Sequence, residues 1–329
     1  MNTPADPRNF AITGVAGFVA ARHLKAINDT GNRLVAAVDP HDAVGVLDQY
    51  AFDVRFFTEF ERFDRHLEKL RRGPEEDRVH YLTICSPNYL HDAHMRLALR
   101  VGADAICEKP LVINPWNLDG LQELEAETGQ RVYTVLQLRL HPALVAFRER
   151  LRAEPVRRHA VQLAYLTARG RWYDVSWKGV EERSGGIVTN IGIHFFDLLL
   201  WLFGPVRKSE VHLREGKRAA GTLALANADV RWYLSAESVD LPFTPEPGSR
   251  TTFRAITVDG EQLEFSDGFT DLHTRVYQEV LDGRGFGVAD ARPSIELSHL
   301  IRHAPITGAA DAATLRAAVM PAQAASKAR

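Results

Sequence analysis

The sequence predicts an α/β protein in two parts. A doubly wound parallel sheet comes first, then an α+β domain with a large open, mainly antiparallel sheet. Three observations predict it. Short apolar runs of strand type alternate with stretches of helical spacing from residue 9 to residue 136, the pattern of a parallel sheet with right-handed crossovers. After LQLRLHP, residues 136–142, the alternation stops and strand-like runs crowd together, one of them interrupted by Asp259-Gly260, a hairpin dipeptide. The length of 329 residues suits two domains at roughly 100–200 residues each. The expected division is 1–137 and 138–329.

Taken in order, NFAITG (9–14) reads as a buried strand, and GFVAARHLKAINDTG follows as a helix stopped by Gly31. RLVAAVD (33–39) is the second strand, DAVGVLDQYA is helical, and VRFF (54–57) is a short third strand. Phe60–Arg72 is an amphipathic helix, VHYLTIC (79–85) the fourth strand and Leu90–Arg100 a helix. The run VGADAI (101–106) leads into the fifth strand, a helix starts at Asn114 with Pro115 in its first turn, and RVYTVL (131–136) is the sixth strand. Such an alternation is that of a Rossmann dinucleotide-binding domain. In the second part a helix, Ala143–Arg152, precedes RHAVQLAYLTARG, VRKSEVHLRE, TLALANADVRWYLSAES and TFRAITVDGEQLEFSDG, all of strand type. The alanine-rich segment past Thr307 is a short helix or a frayed end.

Composition narrows the function. Hydrophobic residues make up 45 % and charged residues 25 %, an ordinary globular profile. A net charge of −2 with both signs interspersed offers no basic surface for nucleic acid. The apolar runs fall short of the ~20 residues that span a bilayer, and MNTPADPRNF lacks the apolar core of a secretory signal. Two cysteines, Cys85 and Cys107, do not make a disulfide framework, so reduced thiols and a cytoplasmic setting are expected.

Candidate site residues gather where the strands should end. CEKP, Cys107–Pro110, places Lys109 at the carboxyl end of the fifth strand, because proline cannot continue a ladder. In an open α/β sheet that edge binds ligands, and a partly desolvated lysine serves as acid, base or relay. SPN, Ser86–Pro87–Asn88, ends the fourth strand at the same edge. After the first strand, G-V-A-G-F-V-A (14–20) sets Gly14, Ala16 and Val19 where G-x-G-x-x-G has its glycines. Only the first matches, with Gly17 extra; Gly14, Ala16, Gly17, Phe18 and Val19 are the expected pyrophosphate loop. Asp39 ends the second strand, where an acid accepts from the ribose and repels a 2′-phosphate, so NAD is expected over NADP. The other reading of Asp39 is a helix cap. His91 and His94 stand at i, i+3, a spacing that can hold zinc, but no third ligand is evident; a contact at the helix N-terminus is expected and no metal.

In the second part, GGIVTNIGIHFFDLLLWLFG (185–204) is apolar nearly all round yet carries Asn190, His194 and Asp197. At spacings of four and three they fall near one helical face. A lone buried histidine is usually a core group bonded to a carbonyl. The amide and carboxylate beside this one point to a site.

Together, EKP, SPN and the G-x-H-x-x-D helix (Gly192, His194, Asp197) resemble the Gfo/Idh/MocA family of sugar dehydrogenases, in order and over nearly the whole chain. GVAGFVAARHLKAINDTGN, FFTEFE, CSPNYLH, ICEKPLV, RGRWYDVSWKG, TNIGIHFFD and FSDGFTDLHT resemble its WlbA/WbpB-type branch, which oxidises UDP-N-acetyl-glucosaminuronic acid (UDP-GlcNAcA) at C3′. The resemblance makes Lys109 and His194 the catalytic pair. Most of the family has an aspartate where this chain has Asn190; an amide orients a hydroxyl but cannot take its proton. The base is then Lys109 or His194. The resemblance brings NAD near Asn88, Glu108 and Lys109, with Ser86, Pro87 and His91 around it.

Cations are needed for the diphosphate and the uronate, and Arg139, Arg169, Arg171 and Lys178 are the candidates. Trp172, Tyr173 and Trp177 are stacking candidates that equally suit a rim or a core, and Asp197 joins Asn190 and His194 on the substrate side. The resemblance further implies 2-oxoglutarate as co-substrate and an aminotransferase downstream in surface polysaccharide (lipopolysaccharide or O-antigen) biosynthesis. The open antiparallel sheet offers one face to a partner, so a homodimer or homotetramer joined through it is expected. UDP-GlcNAc is the alternative substrate. A non-catalytic NAD-binding regulator on the same fold is the other class of reading, though such a scaffold has no reason to bury an ionisable group in an apolar helix.

Overall fold

A computed structural model describes residues 6–246, 248–263, 265 and 271–321. The chain packs as two units, Met1–Leu140 with Phe269–Arg292, and His141–Gly268 with Pro293–Arg329. The sequence boundary was a single cut after residue 137. In the fold the cut falls after Leu140, and a later segment returns to the first unit.

The first unit runs β1 (Asn9–Thr13), α1 (Ala20–Asp29), β2 (Arg33–Val38), β3 (Arg55–Phe57), α2 (Phe60–Arg72), β4 (Tyr81–Ile84), α3 (His91–Arg100), β5 (Asp104–Cys107), α4 (Trp116–Thr128) and β6 (Val132–Thr134). Its strands lie in the order β3-β2-β1-β4-β5-β6, every pair parallel. The order reverses between β1 and β4, the switch point at whose carboxyl edge ligands bind. All of β1 is buried, as expected of a strand covered on both faces. Two expectations shift. DAVGVLDQYA holds only a 3-10 turn, Gly45–Gln49. Val101 caps α3 and Gly102 is left-handed at φ 77°, so β5 starts later than VGADAI implied.

The second unit runs α5 (Pro142–Ala153), β7 (His159–Thr167), α6 (Trp172–Val175), α7 (Glu181–Ser184), α8 (Ile193–Phe203), β8 (Val206–Glu215), β9 (Arg218–Leu225), β10 (Ala228–Ser235), β11 (Thr252–Val258) and β12 (Glu261–Gln262). Its sheet has the order β12-β11-β7-β10-β9-β8 and is antiparallel except between β7 and β10. The hairpin at Asp259-Gly260 forms as expected, with φ of 52° and 90°. In α8, Phe196 meets Trp232 of β10 edge-on at 5.3 Å. Gly192 permits this approach: a Cβ there would stand 2.7 Å from Leu234 and 2.8 Å from Phe196. Truncating either buried aromatic to alanine should cost about 3–5 kcal/mol. By length and composition the helical stretch Glu181–Phe203 could cross a membrane, which the sequence reading had not credited to any run; 67 % of its apolar window is buried in the fold.

After FSDGFTDLHT, of which residues 266–270 lie outside the described residues, the chain continues as α9 (Leu272–Leu281, which takes in the end of that stretch), α10 (Val288–His303) and α11 (Ala312–Ala317). α9 belongs to the first unit. Its Val276, Tyr277 and Val280 join the core formed by Phe10, Ile12, Leu24 and Ile27. Phe10 stacks on Tyr81 at 4.9 Å and on Tyr277 at 5.8 Å. The division between units falls within α10. In the described part of the alanine-rich segment α11 is a short helix, capped by Asp311, which accepts the Thr314 N–H at 2.9 Å; residues 322–329 lie outside the described residues.

Candidate active site

The β1–α1 turn is built for close approach. Gly14 has φ 74°, and a Cβ on it would lie 2.6 Å from the Cys85 carbonyl and the Ser86 nitrogen. Only glycine fits there. Ala16 donates its N–H to Asp39 Oδ2 at 3.0 Å, and His41 donates its N–H to Oδ1 at 2.9 Å. Asp39 therefore ties the glycine turn to the end of β2. Each carboxylate oxygen has a second lone pair, so the ribose role read from sequence stays open to it. α1 begins after Val19 with no acidic residue in its first turn, so no carboxylate there offsets the positive end of its dipole, although the Ala20 and Arg22 N–H groups already bond the Gly17 and Val19 carbonyls. Phe18 stands 88 % exposed at the mouth of the turn. These features fit a dinucleotide: a turn free of side-chain bulk, a helix N-terminus, and an acid at the end of β2.

SPN and EKP follow β4 and β5 in the same sheet. Ser86, Asn88 and Glu108 are buried and Lys109 half-buried. The Lys109–Pro110 peptide is cis. His91, read from sequence as a cofactor contact, is 1 % exposed, with both ring nitrogens turned to the backbone: Nδ1 is 2.7 Å from the Pro110 carbonyl and Nε2 2.9 Å from that of Ser86. It links the SPN and EKP turns and presents no nitrogen to a ligand, which corrects the sequence reading. His94 Nδ1 takes the Ser86 hydroxyl at 2.9 Å and that of Thr13 at 3.1 Å, and its ring stacks on Phe60 at 4.4 Å. Burial pushes its pKa down to about 3. The i, i+3 pair thus pins strand ends to one another.

Sequence reasoning missed the groups around Glu108. His23 Nε2 lies 2.9 Å and His273 Nε2 3.1 Å from Glu108 Oε1. His23 Nδ1 meets the Tyr277 hydroxyl at 2.9 Å, which meets Thr83 Oγ1 at 2.8 Å. Burial opposes the charge on Glu108, but the two imidazoles outweigh it and hold its carboxyl well below the usual range. Burial lowers His23 against the pull of that carboxylate. The ligand atoms of His23, Glu108 and His273 lie within 4.8 Å of one another, close enough for a metal; the hydrogen-bond chain already accounts for His23 and Glu108. His23 was legible as a histidine on the buried face of α1, whereas nothing in the sequence ties His273 to Glu108.

In the second unit, a π-helical turn, Val188–Gly192, leads into α8. Such turns recur at functional sites. It carries Asn190 out of the α register assumed for it relative to His194. Asn190 and His194 are half-buried and Asp197 only 2 % exposed. The Asn190 side chain hydrogen-bonds Tyr173, whose phenol burial pushes up. Lys178 Nζ sits 5.2 Å from the Trp172 ring and 5.4 Å from that of Trp177. Burial and the nearby Arg169 lower its pKa, and among the described residues no carboxylate reaches it. Arg169 and Arg171 are exposed. Arg139 lies in the first unit and contacts the Asp290 carboxylate at 3.4 Å, the Asp290 carbonyl at 3.1 Å and the Phe286 ring. Those contacts tie Arg139 to the start of α10.

Residues 8–136 match the oxidoreductase family GFO_IDH_MocA, NAD-binding Rossmann fold, and residues 156–239 match its C-terminal alpha/beta domain. The WlbA (WbpB) dehydrogenase from Thermus thermophilus, solved with NAD and alpha-ketoglutarate, superposes with a TM-score of 0.86 at 51 % identity, over 93 % of this chain and 98 % of that one. The same enzyme solved with NAD and UDP-GlcNAcA gives 0.86 at 50 % identity, over 92 % and 97 %. Among curated relatives, the D-glucoside 3-dehydrogenase of Escherichia coli strain K12 is 30 % identical over 39 % of this chain. The matched stretch spans 37 % of that relative's length and 54 % of the Rhizobium meliloti inositol 2-dehydrogenase.

Proposed function

The chain belongs to the Gfo/Idh/MocA oxidoreductase family, and from that premise we propose that it is an NAD-dependent dehydrogenase that oxidises the C3′ hydroxyl of UDP-GlcNAcA. The observation that carries this reading is the 50 % identity, over nearly the full length of both chains, to a dehydrogenase solved with NAD and UDP-GlcNAcA.

Gly14, Ala16, Gly17, Phe18, Val19 and Asp39 hold the dinucleotide, with Ser86, Pro87, Asn88, Glu108 and Lys109 beyond them. NAD, when bound, supplies the hydride acceptor. Lys109 or His194 removes the proton of the C3′ hydroxyl as the carbonyl forms. Asn190, bonded to Tyr173, orients that hydroxyl and carries no charge. Lys178, flanked by two indoles and Arg169, receives an anionic group of the substrate, with Arg169 and Arg171 as further cations; Trp172 and Trp177 give it aromatic walls. Asp197, buried on α8, supports the substrate side from within.

The co-substrate we assign for returning the cofactor to its oxidised form is 2-oxoglutarate. The 3-keto product suits a downstream aminotransferase, a step toward diacetamido-uronic acids of surface polysaccharides. Two buried free thiols, Cys85 and Cys107, fit a reducing cytoplasm. The open sheet of the second unit is the surface for a homodimer or homotetramer. Mixing NAD-loaded protein with UDP-GlcNAcA should give NADH fluorescence in proportion to enzyme, discharged by 2-oxoglutarate. No signal from UDP-GlcNAcA would overturn the assignment.

A further inference from the structure

Lys109 is flanked by two residues that buried imidazoles hold. On one side, Glu108 Oε1 stands 2.9 Å from His23 Nε2 and 3.1 Å from His273 Nε2. On the other, the Pro110 carbonyl stands 2.7 Å from His91 Nδ1. We propose that His23, His273 and His91 are positioning residues for Lys109, the first two acting through Glu108 and the third through Pro110. This rests on the reading of Lys109 as a catalytic group.

Proton inventory fixes the direction of the first clamp. A carboxylate only accepts, so both histidines donate from Nε2. In the neutral His23 ring Nδ1 must then accept, and the Tyr277 hydroxyl at 2.9 Å donates to it. The Tyr277 oxygen in turn accepts from Thr83 at 2.8 Å. Each hydrogen bond along Thr83, Tyr277, His23 and Glu108 thus has one donor and one acceptor. At its end, Glu108 Oε2 accepts the backbone N–H of Lys109 at 3.2 Å. The groups come from α1, β4, the end of β5 and α9, and each is at most 6 % exposed. The return of α9 to the first unit acquires a purpose here, since it delivers both His273 and Tyr277.

A buried ionised carboxylate adds little to stability compared with a well-packed apolar group. What this one does add is a fixed backbone at Lys109, because its second oxygen is spent on that residue's own amide. The second clamp works on the same turn. Burial favours the neutral His91 ring, which has one N–H to donate to either the Pro110 carbonyl at 2.7 Å or the Ser86 carbonyl at 2.9 Å; wedged between the two, the ring sets the spacing of the turn carrying Lys109 and the turn carrying Asn88. In catalysis, misplacing a reacting group by about 1 Å can cost on the order of a hundredfold.

The test compares Glu108→Gln, Tyr277→Phe, His91→Leu and His91→Gln, each assayed with UDP-GlcNAcA at a temperature where it is fully folded, beside Lys109→Ala. Glu108→Gln should lower kcat about tenfold or more, with KM within about threefold and NAD still bound, the split expected of a transition-state effect. Tyr277→Phe, at the far end of the chain, should lower kcat less, about two- to fivefold. His91→Gln, which keeps one donor, should recover part of the turnover lost in His91→Leu. If Glu108→Gln fails to fold, Tyr277→Phe and the His91 pair decide. Folded variants with kcat within about twofold of wild type would overturn the proposal, even with lowered melting temperatures. Turnover surviving in Lys109→Ala would overturn the reading of Lys109 itself, whereas a dead Lys109→Ala beside unchanged positioning variants would overturn only the clamp.

Discussion

The carboxylate of Asp39 accepts the backbone N–H of Ala16 at 3.0 Å, so one acid orders the turn between β1 and α1 from the end of the neighbouring strand. The same charge repels a 2′-phosphate. Asp39→Asn should therefore weaken NAD binding about tenfold, in line with roughly 1.5–3 kcal/mol for hydrogen bonds to a charged group, and should narrow the preference over NADP. Titration of both nucleotides checks this; an unchanged ratio would separate Asp39 from cofactor choice.

Lys178 lies against two indoles with no carboxylate in reach among the described residues. Lys178→Met keeps the stem and removes the charge. If this lysine meets the uronate, KM for UDP-GlcNAcA should rise about tenfold, roughly 1.4 kcal/mol, while KM for UDP-GlcNAc barely moves. Equal rises for both would assign Lys178 to the diphosphate.

His94 gives the protein an acid-side weakness. Its pKa falls from 6.5 to about 3 in the fold, because burial disfavours the imidazolium. Above about pH 6.5 neither state binds the proton and stability is level. Between pH 6.5 and 3 the unfolded ring binds a proton that the folded ring refuses, so stability falls with pH by up to ~1.4 kcal/mol per unit. Urea unfolding at pH 7 and pH 5 should show wild type losing about 2 kcal/mol more than His94→Gln. Equal losses would show that the folded ring takes up a proton.

Strand ends were the most legible part of this sequence. Pro110, Pro87 and Gly14 stop or turn the chain for reasons local to each residue, and the fold puts all three where expected. The hairpin at Asp259-Gly260 was legible for the same reason. Groups joined across the chain were not. His273 and Glu108 lie 165 residues apart, and no periodicity connects them. The π turn at Val188–Gly192 has a composition that suits an α-helix equally well. The sequence spacing therefore places Asn190 in a different helical register from the one it adopts. Arg139 shows a further limit: its contacts with Asp290, 151 residues on, and with Phe286 have no local signal in the sequence.

Product mass tests the central claim most directly. Purified protein is incubated with NAD, 2-oxoglutarate and either UDP-GlcNAcA or UDP-GlcNAc, and the nucleotide sugar is weighed by mass spectrometry. Mass is preferable to net absorbance because a cofactor recycled in place leaves no steady signal. The expected result is loss of two hydrogens from UDP-GlcNAcA, with UDP-GlcNAc untouched and no loss in Lys109→Ala. Loss from UDP-GlcNAc alone would contradict the substrate assignment, and loss from neither would contradict the proposed activity.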